Sequence, residues 1–219
     1  MLPAQAFLSA CLDLLAPRVC PLCGAPSSTT CPHCLAALAP APLRWVSESP
    51  VGAAARYGSP LSDALQRLKY GGRYDLGSAL GRLLLPPAQE LLTALGDERP
   101  PVLVPVPLHP TRLAERGYNQ SLLLSRALAS LQGWPCRPTW LRRVRDTNKQ
   151  VGRNREQRLT ALVGAFEARV AASDAHRLIL VVDDVITTGA TFEQCLGAFK
   201  RAGASRVAGL CVASTDTCD

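Results

Sequence analysis

The stretch from Leu178 to Thr191 constrains this 219-residue chain most, because an apolar run passes directly into acidic and then hydroxyl-bearing residues. The run from Leu178 to Val182 is apolar and largely β-branched, which is typical of a strand covered on both faces of a parallel sheet. Asp183 and Asp184 follow it. Ligands of open α/β sheets bind at the carboxyl ends of strands, so this acidic pair is predicted to face a ligand.

The residues after the acidic pair predict a phosphate-binding loop. The loop consists of Thr187, Thr188, Gly189, Ala190 and Thr191. The loop carries hydroxyl groups and a glycine, which allows backbone conformations that other residues avoid. It precedes the amphipathic segment Phe192 to Arg201, which is predicted to be a helix, and a loop at a helix N-terminus presents backbone N–H groups to phosphate. Carboxylates suit sugar hydroxyls and amides suit phosphate, so the combination predicts a site for a ribose 5-phosphate.

Other interpretations of this stretch are a solvated Asp-Asp turn and an ordinary Thr-Gly loop. Both motifs occur here in register after an apolar strand, which favours the ligand site. The chain has neither the lysine of a Walker A loop nor the dinucleotide pattern G-x-G-x-x-G, so nucleotide hydrolysis is not predicted.

Two C-x-x-C pairs near the amino end predict a structural zinc site. They are Cys20 with Cys23 and Cys31 with Cys34, separated by seven residues. Two such pairs supply the four thiolates of a closed tetrahedral site, and so short a module needs its metal to fold. A redox pair and unliganded thiols are the alternatives. His33 is expected to lie outside the ligand set, with a role as a substitute ligand as the alternative. The remaining cysteines lack paired spacing.

Composition and charge indicate a folded protein with anionic ligands. Hydrophobic residues make up 47% of the chain, enough for a core, and the formal net charge is +7. Only three of the 24 basic residues are lysines, and arginine favours phosphate and carboxylate contacts. The first 17 residues carry Asp13 and no basic leader, so we expect a short helix that packs on the body, with a helix that docks on a membrane surface or on a partner as the alternative. We expect no transmembrane segment and a cytoplasmic protein.

The order of segments predicts an α/β fold with a parallel sheet flanked by helices. Strands are expected over 51–57 (at a sheet edge), 102–108, 139–145, 164–170, 178–182 and 206–213, and helices over 61–70, 76–95 (interrupted at Pro86-Pro87), 122–131 and 192–202. The linker 39–42 divides a helix and zinc-binding module, residues 1–40, from a larger α/β domain, residues 41–219.

A second cluster follows the 102–108 strand. Pro107, Arg112 and Arg116 precede the sequence Gly117-Tyr-Asn-Gln120, at the edge where Asp183 is expected. Arginine forks make charge-assisted contacts with clustered phosphate oxygens, so this cluster predicts a wall for a diphosphate. A solvated turn is the alternative.

The segment from Arg137 to Arg158 is strongly basic, with eight cations against Asp146 and Glu156. A solvated face is one interpretation. The other is a surface for single-stranded DNA, formed by Arg142, Arg143, Arg145, Arg153 and Arg155. Trp134, Trp140 and Tyr118 are either core residues or stacking partners for bases.

Taken together, these motifs resemble those of the ComF/GntX-like family. The resemblance rests on the cysteine pairs, Leu68-Lys69-Tyr70, Pro105-Val106-Pro107, Arg116 to Gln120, Gly164-Ala165-Phe166 and the Asp183-Asp184 stretch. It implies a type I phosphoribosyltransferase fold that binds phosphoribosyl diphosphate (PRPP), with Asp183 and Asp184 on the ribose hydroxyls, the threonine-glycine loop on the 5′-phosphate and Mg²⁺ on the diphosphate. It also implies a role in natural competence, with single-stranded DNA and other competence or recombination proteins as partners.

Three functions remain open at this stage. The chain is expected to be a DNA-uptake protein, a metabolic phosphoribosyltransferase or a noncatalytic PRPP sensor, because fold alone does not settle function. The cysteine module favours the first. No residue stands out as a general base, and the acceptor of any transfer is not indicated.

Overall fold

The computed structural model describes residues 19–27, 29–145 and 164–215, and confirms a mixed α/β fold with a mostly parallel sheet. The strands are β1 (Arg44–Val46), β2 (Ser49–Arg56), β3 (Val102–Pro105), β4 (Leu141–Arg143), β5 (Phe166–Ala168), β6 (Ile179–Ile186) and β7 (Val207–Ser214). The central sheet has the order β1-β2-β7-β6-β3; β1 is antiparallel to β2 and the other neighbours are parallel. Strands β4 and β5 form a separate antiparallel pair.

Seven helices accompany the strands in the described part of the chain. They are α1 (Pro32–Ala36), α2 (Leu61–Tyr70), α3 (Leu76–Arg82), α4 (Leu85–Ala94), α5 (Pro110–Arg116), α6 (Gln120–Gln132) and α7 (Ala190–Arg201), with short 3-10 turns at Pro138–Trp140 and Ala172–Asp174. Leucines of α2, α3, α4 and α6 pack on one face of the sheet. Helix α7 and the β4–β5 pair pack on the other face, so both faces are covered, as a parallel sheet requires.

Strand β6 is longer than the sequence predicted. The apolar run ends at Val182, yet β6 continues to Ile186 because β7 pairs with it as far as Ile186 and Ser214. On the other side, β3 pairs with β6 only as far as Pro105 and Val182. Asp183 and Asp184 therefore lie inside β6, in the part of the strand that pairs with β7 but not with β3.

Other elements differ from the predictions as well: β3, β4 and β5 are shorter than the strands expected over 102–108, 139–145 and 164–170. The segment 76–95 divides at Leu83 and Leu84 rather than at the prolines, which occupy the first turn of α4, where proline's missing N–H costs no helical hydrogen bond. Strand β2 is not an edge strand, because the short strand β1 pairs along its outer side.

The cysteine module packs on the body of the protein. Cys20, Leu22 and Cys34 are buried in the same apolar cluster as the leucines of α2. Arg67 of α2 donates from Nη2 to the carbonyl oxygens of Pro21 and Leu22, at 2.8 and 3.2 Å. The module and α2 are thus joined by packing and hydrogen bonds, and the domain boundary at residue 40 stays a prediction.

Across the described ranges, none of the helices combines the length and apolar character that crossing a bilayer requires.

Candidate functional site

The acidic pair lies at the open carboxyl end of the sheet. Asp183 Oδ1 accepts hydrogen bonds from Ser121 Oγ at 2.8 Å and from the backbone N–H of Asp184 at 2.9 Å. Asp184 is only 4% exposed, and its Oδ2 lies 2.8 Å from Lys69 Nζ. The two carboxylates therefore have different partners, a hydroxyl at the start of α6 and an ammonium near the end of α2.

Burial and charge shift the titration of this cluster. Burial, followed by the neighbouring Asp184 carboxylate, raises the pKa of Asp183 to about 7. Burial alone would lower the pKa of Lys69, but the charge and hydrogen bond of Asp184, together with the charges of Asp183 and Tyr70, outweigh burial, so the pKa of Lys69 is raised. Near neutral pH the site thus holds a firmly protonated lysine and a carboxyl group that gains or loses a proton with small changes in pH.

The threonine-glycine loop sits between β6 and α7. Gly189 has φ of 84° and precedes the first residue of the 12-residue helix α7. A Cβ on this glycine would lie 3.2 Å from Val46 Cγ2, so both its backbone angle and its contact with β1 favour glycine. The Thr188 hydroxyl accepts from the Ala190 N–H at 3.4 Å.

Arg44, on the edge strand β1, forms a hydrogen bond with the start of this loop. Its Nη1 donates to the carbonyl oxygens of Thr187 and Thr215, at 2.8 and 3.2 Å. These bonds tie the ends of β6 and β7 to the edge strand, so Arg44 positions the loop. Of the loop residues predicted as ligands, Thr187 is exposed, Thr188 and Thr191 are half-buried, and Gly189 and Ala190 are buried.

A cationic pocket of about 470 Å³ lies next to the acidic pair. It is lined by Lys69, Tyr70, Gly72, Arg112, Glu115, Arg116 and Tyr118. The structure thus brings the predicted Arg112 and Arg116 to one pocket, and Lys69 links this pocket to Asp184 because it lines the pocket and pairs with that carboxylate. Pro107 is half-buried where the chain leaves β3, and is not among the described lining residues.

The residues after Arg116 build the turn into α6. The Asn119 side chain accepts from the N–H groups of Ser121 and Leu122 as the N-cap of α6, and its Nδ2 donates to Val106 O at 3.0 Å. Buried Gln120 accepts from Arg116 Nη1 at 2.5 Å. The two amides therefore support Arg116 and Ser121.

Three members of this site were not predicted from the sequence. Lys69 reaches Asp184, Ser121 reaches Asp183, and Arg44 reaches the loop carbonyls. Lys69 had a signal, since it lies in the Leu68-Lys69-Tyr70 motif on which the family resemblance partly rests. Ser121 and Arg44 had no such signal, because only the folded sheet brings each of them to the residue that it contacts.

The predicted DNA surface is partly described. Arg142 and Arg145 are exposed, and half-buried Arg143 lies over the Phe166 ring, 5.6 Å from its centroid. Arg153 and Arg155 lie outside the described residues. Trp140 is only 8% exposed and belongs to the core between the sheet and α7, so it is not an available stacking surface. Trp134 is half-buried against the apolar cluster on the opposite face of the sheet.

The four predicted ligands of a metal come together. The Sγ atoms of Cys20, Cys23, Cys31 and Cys34 all lie within 4.8 Å of one another. Cys23 Sγ and Cys31 Sγ are 3.7 Å apart, close to the edge of about 3.8 Å expected for a tetrahedron with Zn–S bonds of about 2.3 Å. The donor set and spacing thus fit a structural metal ion.

Backbone groups prepare one of these sulfurs for a metal. Burial alone would raise the pKa of Cys20, but N–H groups of Cys31, Cys23 and Leu22 together lower it to about 6. The N–H of Cys31 lies 3.4 Å from Cys20 Sγ. A thiol that ionises readily is a better metal ligand, because the thiolate is the coordinating form.

Curated relatives of this chain are named for DNA utilization or competence, and no protein-family model matches it. DNA utilization protein YhgH of Salmonella typhimurium is 35% identical over 215 residues, which cover 94% of this chain and 89% of the relative. Competence protein F of Haemophilus influenzae is 30% identical over 189 residues, 86% and 81% of the two chains. Competence protein ComFC of Bacillus subtilis is 25% identical over 183 residues, 80% and 68% of the two chains.

The first two relatives are at least 30% identical to this chain, over 94% and 86% of its length. The chain therefore belongs to the ComF-like competence family.

Proposed function

We propose that this protein handles single-stranded DNA in the cytoplasm during DNA uptake, and that its acidic and cationic site binds PRPP. The observation that carries the PRPP assignment is the contact of Lys69 with Asp184, since it joins the acidic pair to the pocket formed with Arg112 and Arg116. The names of the relatives support the DNA role.

Each part of PRPP has a chemically matched partner in this arrangement. Asp183 and Asp184 accept hydrogen bonds from the ribose hydroxyls, and the loop from Thr187 to Thr191, with the start of α7, receives the 5′-phosphate. The diphosphate faces the cations of the pocket. The diphosphate would also give Lys69 an alternative anionic partner, which releases Asp184 Oδ2 for a hydroxyl group.

Mg²⁺ fits the same pocket in this proposal. Glu115 lines the pocket and would supply a carboxylate oxygen of the kind that this cation prefers, and the oxygens of a bound diphosphate would supply others. The ion would neutralise part of the phosphate charge. The chain's own residues hold the sugar and orient the diphosphate.

The same site chemistry also fits a phosphoribosyltransferase. Burial and the neighbouring carboxylate favour a proton on Asp183 near neutral pH, so this carboxyl group is able to donate or accept a proton beside the ribose. Release of pyrophosphate from PRPP, measured with and without nucleobases, separates transfer from binding alone.

The DNA role predicts salt-sensitive binding by the exposed arginines of the β4 region. We expect single-stranded DNA to bind with little sequence preference and to weaken as salt rises. Removing two phosphate contacts in the Arg142→Ala/Arg145→Ala variant should flatten the slope of log affinity against log salt by about 1.4. Fluorescence anisotropy with a labelled oligothymidine at several salt concentrations measures this slope.

A charge-matched control distinguishes a local contact from a general loss of charge. Arg126 and Arg201 are exposed on α6 and α7, and their double alanine variant should keep the wild-type slope. Equal slopes for the two double variants would contradict the assigned surface. Failure of the wild-type protein to bind DNA at low salt would contradict direct DNA handling, and a parallel calorimetric titration with PRPP and Mg²⁺ tests the pocket independently.

A further inference from the structure

Tyr70 ends helix α2 with its ring in solvent. The residue is 72% exposed, although Leu68 on the same turn is fully buried in the core and Lys69 contacts Asp184. Gly71 and Gly72 follow, and Gly72 has φ of 64°, so the chain turns away directly after the ring. The consecutive side chains of Leu68, Lys69 and Tyr70 thus pack in the core, contact the acidic pair and line the pocket, respectively.

One face of the Tyr70 ring is occupied and much of the rest is open. The Arg116 guanidinium carbon lies 5.3 Å from the ring centroid, a cation–π distance. Arg116 is itself fixed by its hydrogen bond to buried Gln120. With one face covered in this way, an exposure of 72% means that most of the remaining ring surface faces solvent.

The surroundings of the ring specify the ligand that fits it. Lys69, Arg112 and Arg116 line the same pocket, and Glu115 is the one acidic group among its described lining residues. Tyr118 adds a second aromatic wall and contacts the exposed Tyr74 edge-to-face, with centroids 6.3 Å apart. An aromatic surface beside several cations is the combination that binds bases together with their phosphates.

We infer that the open face of Tyr70 is a stacking subsite for an unpaired nucleobase whose phosphate lies against Arg112 and Lys69. This inference rests on the proposed function and deepens it, since it assigns the base-binding side of the pocket. The base has two sources with the same chemistry, a free nucleotide and a residue of a single strand. A stacking subsite accepts any base, because every base has a π-face.

The test compares ligands that differ only in their bases. We expect Tyr70→Ala to weaken an oligothymidine by roughly five- to a hundredfold, and Tyr70→Phe to stay within about twofold of wild type, because phenylalanine retains the ring. An abasic strand of the same length keeps the phosphates and should bind wild type and Tyr70→Ala equally. A 2-aminopurine residue in the strand should lose fluorescence on binding wild type and less on binding Tyr70→Ala.

The matched control is Trp45→Ala, which removes an aromatic ring of similar exposure, 69%, from β1 outside the pocket. It should leave every affinity unchanged. Thymidine monophosphate, run in parallel, identifies the source: a Tyr70-dependent loss for it indicates a free nucleotide, and a loss confined to the oligonucleotide indicates a strand.

Unchanged oligothymidine affinity in Tyr70→Ala, an equal loss for the abasic strand, or an equal loss in Trp45→Ala would overturn the stacking subsite. Absence of base-containing ligand binding to the wild type would overturn it as well. A wild-type protein that binds bases through Tyr70 but does not bind PRPP would instead contradict the PRPP assignment, so the two failures are distinguishable.

Discussion

Replacing Cys20 with serine is expected to remove bound zinc and to lower the yield of soluble protein. Cys20 is 1% exposed, and it supplies one of four sulfurs in a cluster whose spacing fits tetrahedral coordination. Structural zinc in small modules contributes on the order of 10 kcal/mol of folding free energy, so loss of one ligand is costly. We expect about one zinc ion per chain in the wild type and a far lower content in Cys20→Ser.

The effect should extend beyond the module. Arg67 of α2 donates to the carbonyls of Pro21 and Leu22, and Leu22 is buried beside the leucines of that helix. Helix α2 also carries Lys69, so a disordered module removes support from the proposed pocket. PRPP affinity should therefore fall together with zinc content.

Cys136→Ser is the matched control, because Cys136 is half-buried and lies outside the four-sulfur cluster. It should retain one zinc ion and the wild-type thermal midpoint. Elemental analysis and thermal unfolding measure both quantities. Wild-type protein prepared with ample zinc and found to contain none would contradict the metal assignment.

The fold was predictable where the sequence pattern is local. The apolar run before Asp183, the alternation of strands and helices and the paired cysteines each depend on neighbouring residues. The α/β class and the four-cysteine cluster follow from such patterns, and the structure confirms them. Strand ends were less predictable, because the length of β6 is set by its pairing with β7 rather than by its own residues.

The acids of the candidate site stand out in the sequence, whereas the side chains that contact them do not. Asp183 and Asp184 follow an apolar run, which marks them, whereas Ser121 lies 62 residues away from Asp183 along the chain. Arg44 is 143 residues from Thr187. Contacts of this kind depend on the order of strands in the sheet, which a single sequence does not specify.

Asp183→Asn is expected to weaken PRPP binding and at the same time to stabilise the free protein above neutral pH. Loss of a charge-assisted hydrogen bond to a ribose hydroxyl should reduce affinity by about ten- to a hundredfold. The stabilisation follows from the pKa of Asp183, which burial and Asp184 raise from 3.8 to about 7 in the folded protein. Between these values the folded protein holds a proton that the unfolded chain has released, so stability falls as pH rises through this window.

Asparagine cannot ionise, so the variant avoids that penalty. The free energy of unfolding of Asp183→Asn should exceed that of the wild type at pH 8, by on the order of 1 to 3 kcal/mol, and the difference should shrink towards pH 4. Urea unfolding at the two pH values measures it, and calorimetry with PRPP and Mg²⁺ measures the affinity. A pH-independent difference would contradict the raised pKa, and unchanged PRPP affinity would contradict the ribose assignment.

Asp184→Asn is the informative counterpart, because it removes the carboxylate from Lys69. It should also weaken PRPP binding about ten- to a hundredfold, but it should destabilise the free protein at pH 7 by about 1 to 3 kcal/mol. The pKa of Lys69 is raised in the folded protein, so its contribution to stability through this pair is present at neutral pH and is lost as pH rises through that raised pKa. Opposite effects on stability with the same effect on affinity would show that the two adjacent acids share a ligand but differ in their structural partners.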